Sequence, residues 1–180
     1  MTTLTLPAIE IPSTTAETPA GEIRTASVSL PERKIEVDGE AVADLMAAAR
    51  RAAEVAYAPF SKFHVGAALV MADDPGGDII TGCNVENSSY GATVCAERVA
   101  VFTAAARGLR RLRWLAVSTL ATLDAPLQDR SPCGVCRQVI REFADEDTLV
   151  LCDSGEDGVI GEVFDIDRLL PFGFRFAPVS

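Results

Sequence analysis

The clearest hydrophobic pattern in the chain begins at Glu40. In EAVADLMAAARRAAEVAY (Glu40–Tyr57) apolar residues recur three and four apart among strong helix formers, and Pro59 closes the run, which predicts a helix. FHVGAALVM (Phe63–Met71) reads as a buried strand, DDPGGD (Asp73–Asp78) as a turn, and IITGCNVEN (Ile79–Asn87) as a second strand, so the pair forms a hairpin. VCAERVAVFTAAARG (Val94–Gly108) predicts a helix stopped by its glycine, and RWLAVSTLA (Arg113–Ala121) a third strand. After the loop LDAPLQDRSP (Leu123–Pro132) comes a helix, CGVCRQVIREFA (Cys133–Ala144). Strands follow at TLVLCD (Thr148–Asp153) and GVIGEVF (Gly158–Phe164), then a helical turn at IDRLLP (Ile166–Pro171). Strands separated by helices need crossover connections. The pattern therefore predicts an α/β fold with a mixed sheet covered by helices on both faces.

The first 38 residues differ. They are rich in Thr, Pro, Ala, Ser and Glu and show no sustained helical period, so residues 1–38 read as a disordered or loosely attached extension ahead of a domain at 39–180. Within it, SVSLPERKIEV (Ser27–Val37) offers a short edge strand, weakened by Pro31. No internal repeat is visible.

Composition narrows the function classes. A chain of 180 residues accommodates one domain with a tail. Sixteen basic against 26 acidic residues give a net charge of −10. That balance argues against a nucleic-acid backbone and against anionic membrane surfaces as partners. No apolar run reaches the ~18 residues a spanning helix needs. The opening residues carry no basic n-region and no uninterrupted apolar core, so a secretory signal is not expected and the expected location is cytoplasmic. The five cysteines are odd in number, which makes a disulfide framework a poor explanation. Cys152 reads as a small buried hydrophobe, while Cys83 stays open between core and site wall.

The other three cysteines sit at two helix starts, Cys95-Ala96-Glu97 and Pro132-Cys133-Gly134-Val135-Cys136. Three thiolates suit Zn²⁺, a soft-ligand, tetrahedral ion, and the CxxC spacing lets one helical turn present two sulfurs to it. Three protein ligands leave a position for water. A fourth thiolate from Cys83 or Cys152 would make the site structural instead. Glu97 favours the catalytic reading: a carboxylate two residues from a ligand can take a proton from metal-activated water and deliver it to substrate. Both helices aim their positive N-terminal ends at the metal, which favours thiolates there.

These motifs, with APFSKFHVGAAL (Ala58–Leu69), GCNVENSSYGATVCAER (Gly82–Arg98) and SPCGVCRQVIREF (Ser131–Phe143), resemble the zinc-dependent cytidine deaminases that act on free nucleosides, over roughly Val42 to Phe174. The resemblance implies a three-layer α/β/α sandwich with a mixed five-stranded sheet. It implies Zn²⁺ held by Cys95, Cys133 and Cys136. Glu97 would be the proton shuttle from water to N3 of the pyrimidine and then to the departing amine. Asn84 and Glu86 would bind the sugar 3′-hydroxyl, and Phe63 would pack against the base. Ala96 belongs to the substrate-binding set. Ser88 and Tyr90 match positions that reach a neighbouring subunit's 5′-hydroxyl, and Phe174 an aromatic that closes a neighbour's site, so a homotetramer with shared sites is implied. Three thiolates leave the ion with a formal charge of −1, which weakens it as a Lewis acid. Arg98, directly after Glu97, would draw off that charge by hydrogen bonding ligand sulfur.

The activity implied is hydrolysis of cytidine and 2′-deoxycytidine to uridine and 2′-deoxyuridine with release of ammonia, a pyrimidine-salvage reaction. Two other readings compete. One is a deaminase of a cytosine nucleoside analogue such as blasticidin S, against which the Asn84–Asn87 segment argues. The other is a non-catalytic structural zinc protein, against which Glu97 argues. His64, the only histidine, reads as a solvent-side strand residue, and Trp114 as a packing residue at a strand head.

Overall fold

The computed structural model describes residues 1–120, 123–155 and 159–176. The strand end expected at Ala121 and the strand start expected at Gly158 lie outside the described residues. The chain divides into two compact units, Met1–Asp38 and Gly39–Ser180.

The first unit is a paired ribbon. Strand β1 (Thr2–Leu6) pairs antiparallel with β6 (Arg33–Val37), β2 (Ile9–Ile11) with β5 (Val28–Leu30), and β3 (Thr15–Thr18) with β4 (Gly21–Arg24). Partner numbers add to 39 in every pair, so the three ladders are one hairpin in a single register. It reverses at Pro19–Ala20, and Gly21, with φ 130°, takes a backbone conformation that a side chain would resist. The ladder breaks around Pro7, Pro12 and Pro31, because proline has no N–H to donate. A composition that predicts no regular structure therefore pairs with itself at long range.

The second unit is built on a five-stranded sheet in the order β11-β10-β9-β7-β8. Its elements are α1 (Gly39–Glu54), β7 (Val65–Met71), β8 (Ile80–Cys83), α2 (Ala96–Ala106), β9 (Leu112–Thr119), α3 (Gly134–Phe143), β10 (Ala144–Cys152), β11 (Glu162–Asp165) and α4 (Ile166–Leu169). β7 runs antiparallel to both β8 and β9, β10 parallel to β9, and β11 antiparallel to β10. The sheet is mixed, as the alternation of elements predicts. Strand β8 is shorter than its apolar run, because Val85 leaves the ladder to bridge Tyr57 and Val94. That bridge also holds Val94 extended, so α2 starts only after Cys95.

Helices cover both faces. Gly66 sits so close under α1 that an added Cβ would lie 2.0 Å from the Ala49 carbonyl oxygen. On the opposite face Gly82 meets α2, where a Cβ would lie 2.5 Å from the Ala96 carbonyl oxygen. The core on the α2 face joins Leu69, Leu115 and Val117 of the sheet to Ala100 and Val101 of α2, Ile140 of α3 and Leu169 of α4. This topology positions the site. β8, β9 and β10 all point the same way, and α2 and α3 return along the sheet as the crossovers between them. The N-termini of α2 and α3 are thereby brought to the carboxyl ends of the strands, the edge where open α/β sheets hold ligands.

Candidate active site

Cys95 and Cys133 occupy the N-cap positions of α2 and α3, both with extended backbone, and Cys136 lies one turn into α3. Two distant segments are thus joined at one point: the three Sγ atoms all lie within 4.8 Å of one another. A tetrahedral ion with metal–sulfur bonds of about 2.3 Å spaces its sulfurs by roughly 3.8 Å, so this donor set fits Zn²⁺. Among the described residues no further histidine, cysteine or carboxylate joins the group. Cys152 is fully buried in β10, and the Cys83 thiol points to the Val55 carbonyl at 3.8 Å. Neither becomes a fourth ligand.

The surrounding charges and hydrogen bonds already separate the sulfurs. A hydrogen bond from Cys136, and then the charge and hydrogen bond of Arg98, draw Cys95 down to about 5 against the opposing effect of burial. Cys136, the donor in that bond, is pushed up. Arg98 reaches back along α2, its Nη2 lying 3.7 Å from Cys95 Sγ and 3.1 Å from the Thr93 carbonyl oxygen. Arg98 thus reaches one of the three clustered sulfurs.

Glu97 is only 4% exposed. Burial, with the negative charge of Cys95 added, raises its carboxyl to about 7. A carboxyl so placed holds and releases a proton near neutrality, which suits general acid–base work.

Glu97, Cys95 and Cys133 face a cavity of about 410 Å³. Phe63, Asn84, Glu86 and Tyr90 line it as well. Cys-bearing helix starts, a buried acid and this cavity share one end of the sheet.

Comparison with known proteins agrees. The model of the cytidine and deoxycytidylate deaminase zinc-binding region matches residues 40–152. The chain belongs to this deaminase family. A cytidine deaminase of Sporosarcina psychrophila is 44% identical over 139 residues, covering 77% of this chain and 95% of the relative. One from Halalkalibacterium halodurans is 43% identical over 130 residues, 72% of this chain and 91% of the relative. The crystal structure of cytidine deaminase from Burkholderia pseudomallei superposes with a TM-score of 0.63 at 41% identity, covering 77% of this chain and all of that one. The family match begins at residue 40, beyond the ribbon.

The remaining family positions are arranged unevenly. Asn84 and Glu86 are buried, and their polar atoms clamp the segment that carries Phe63. Asn84 Oδ1 accepts from the Val65 N–H at 2.8 Å, and its Nδ2 donates to the Phe63 carbonyl at 2.8 Å. Glu86 accepts from the Phe60 N–H at 2.8 Å, from the Ser61 N–H at 3.2 Å and from the Ser61 hydroxyl. That hydroxyl bond, ahead of the two backbone bonds, holds Glu86 below the usual carboxylate range despite burial. The clamp encloses Lys62, the one described non-glycine residue with positive φ, at 61°. Such a conformation needs outside support, and Glu86 supplies it.

Ala96 is fully buried in the first turn of α2 and does not line the cavity. Ser88 is exposed and away from the cavity, and Tyr90 sits at its mouth 85% exposed. Phe174 is 61% exposed, stacked edge-on against Phe176 and apart from the cavity of its own chain. His64 is half-buried just ahead of β7, and Trp114 is buried in β9 beneath the Arg113 guanidinium. Ser61, Thr119, Asp129 and Ser131 also line the cavity. Sequence reasoning missed all four. Of these, Ser61 and Ser131 lie inside quoted motifs, while Thr119 and Asp129 carry no local signal.

Proposed function

We propose that this protein catalyses the zinc-dependent hydrolytic deamination of cytidine and 2′-deoxycytidine to the corresponding uridines, releasing ammonia, a step of pyrimidine salvage. The observation that carries the reading is the three-sulfur cluster beside a buried Glu97 at the wall of a cavity of about 410 Å³.

Cys95, Cys133 and Cys136 would hold Zn²⁺, which would supply the Lewis acidity that makes water nucleophilic near pH 7. Glu97 accepts a proton from the attacking water as its oxygen adds to C4, and passes that proton to N3. A second proton, from the hydroxyl now on C4, travels through the same carboxyl to the exocyclic amine. The C4–N bond breaks, ammonia leaves, and the C4 carbonyl of uridine forms. Arg98 withdraws charge from Cys95. Phe63 packs against the base, and Asn84 and Glu86 meet the sugar as well as holding the 60–65 loop.

We further propose that residues 39–180 form the deaminase domain, that it works in the cytoplasm, and that it assembles as a homotetramer. Exposed Tyr90, Ser88 and Phe174, apart from or at the rim of their own cavity, are then available to a neighbour's site. The test is zinc content together with the ultraviolet loss of cytidine absorbance, in the native protein and in Glu97→Gln. Zinc with turnover in the native protein and zinc without turnover in the variant supports the reading. Zinc without turnover in either would favour a structural zinc protein.

A further inference from the structure

We infer that Arg130 is a positioning residue for substrate, fixing one wall of the cavity through the loop that carries it. The inference rests on that cavity being the substrate site. Residues 123–132 connect β9 to α3, and the two neighbours of Arg130, Asp129 and Ser131, both line the cavity. Arg130 itself turns the other way and is 8% exposed.

Its guanidinium joins three separate places. Nε donates to the Ala125 carbonyl at 2.8 Å, holding the early part of the same loop. Nη1 donates to the Asp153 carbonyl at 2.8 Å, just past β10, and pairs with Glu162 Oε2 of β11 at 2.5 Å. The Asp153 anchor is itself fixed. Its carboxylate receives Arg50 Nε at 2.7 Å and Nη2 at 2.6 Å from α1, and the Ser118 hydroxyl at 2.7 Å from β9. The loop is thus tied through one side chain to the end of β10 and to β11 and, through Asp153, to α1 and β9.

A nearly buried charge is a poor way to gain stability, since an apolar side chain of similar volume would cover the sheet end at less desolvation cost. What a guanidinium adds is direction. Its planar fork serves divergent acceptors at once, whereas a lysine ammonium is a single point on a flexible stem. The wall it holds lines the cavity, so loosening it weakens the seating of substrate there.

The experiment compares Arg130→Met, Arg130→Lys and Glu162→Gln with the native protein in zinc content, kcat and KM for cytidine, and amide hydrogen exchange. Arg130→Met should keep one zinc per chain and a kcat within about threefold, while KM rises about tenfold or more. Exchange should quicken across residues 123–132 and stay unchanged in α2. Glu162→Gln should raise KM in the same direction by less, and Arg130→Lys should fall between. An effect on stability alone would leave KM of the folded protein unmoved. If Arg130→Met does not fold, the other two variants decide. A KM within twofold of native in every variant that folds, or zinc and activity lost together, overturns the inference. Absence of cytidine turnover in the native, zinc-loaded protein would instead overturn the proposed function, and the exchange comparison would then decide whether Arg130 holds the loop.

Discussion

Replacing Gly82 by alanine tests how the fold holds the chemistry. The added Cβ would lie 2.5 Å from the Ala96 carbonyl oxygen and 2.6 Å from the Ala100 N–H nitrogen, both backbone atoms of α2. Contact becomes ordinary at 3.4 Å, so α2 and β8 must separate by roughly 0.9 Å. Ala96 lies between Cys95 and Glu97, so the retreat falls on the turn that carries a proposed zinc ligand and the proposed proton shuttle. Overpacking of this kind costs about 1–3 kcal/mol, a fall in melting temperature of roughly 2–12 °C for a chain of this size. Misplacement of reacting groups by about 1 Å costs on the order of a hundredfold in rate. The control is Gly66→Ala, whose Cβ meets α1 at 2.0 Å, on a helix that carries no site residue. Both variants should melt early in calorimetry. Only Gly82→Ala should lose zinc affinity and turnover out of proportion to its stability. Equal zinc content and kcat in two equally destabilised variants would refute the idea that β8 sets the position of the α2 start.

Glu97→Gln should retain zinc and lose on the order of 10²–10⁴ in kcat, checked by metal analysis and absorbance kinetics. Arg98→Ala should keep its zinc while the acidic limb of kcat moves to higher pH, because the site becomes more negative and water harder to ionise; an unmoved pH–rate profile would exclude that role. Phe174→Ala should lower activity without removing zinc, and activity should fall as the assembly dissociates in sedimentation, whereas a fully active monomer would contradict shared sites. Although burial pushes Asp153 up, hydrogen bonds from Arg50 and Ser118 hold its pKa below that of a free carboxyl. The stability it contributes is present above its unfolded pKa of about 4 and is lost as pH falls through the lower folded value. Asp153→Asn should therefore destabilise the protein at pH 7 and narrow its difference from native in acid melts.

The elements legible in the sequence were those with a local period. The α1, α2 and α3 runs and the apolar strands declare themselves over ten or so residues, and Cys95-Ala96-Glu97 and Pro132–Cys136 are short motifs. What local pattern could not show was convergence. The two motifs are nearly forty residues apart, and only the crossover topology brings them within reach. The ribbon was hidden for a related reason. Its pairing spans up to 35 residues, from Thr2 to Val37. Its apolar positions also switch from even numbers at Leu4 and Leu6 to odd numbers at Ile9 and Ile11, so no single alternation runs through it. Glu86 shows the same limit at smaller scale. As a strand-end residue it promised a turn or a sugar contact. Its clamp on Phe60 and Ser61 depends on a segment 25 residues earlier folding back beside it. Arg130 belongs to no motif; its meaning lies wholly in the two carbonyls and the carboxylate around it.

The helix starts show a tension between stability and chemistry. A helix N-cap usually places a serine, threonine, aspartate or asparagine oxygen on the free N–H groups of the first turn, and losing that cap costs about 0.5–2 kcal/mol. Here both caps are cysteine, and neither side chain makes a capping hydrogen bond. The residues that would best stabilise α2 and α3 would present hard oxygen to the metal, and oxygen is the weaker choice for holding Zn²⁺ beside two thiolates. The uncapped N–H groups are compensated by the charge they face. Negative sulfur near a helix N-terminus is favoured by the aligned peptide dipoles, and two helices converge on the same cluster. The arrangement explains why both starts must stay bare: each unfilled cap leaves partial positive charge for thiolate, while Arg98 adds a full charge from the side. Glu97 sits in the same first turn yet is kept from being permanently ionised by burial and by the sulfur beside it. One local field thus favours ionised sulfur and a protonatable carboxyl within three consecutive residues, and that difference suits the opposite work proposed for the ligand and the acid.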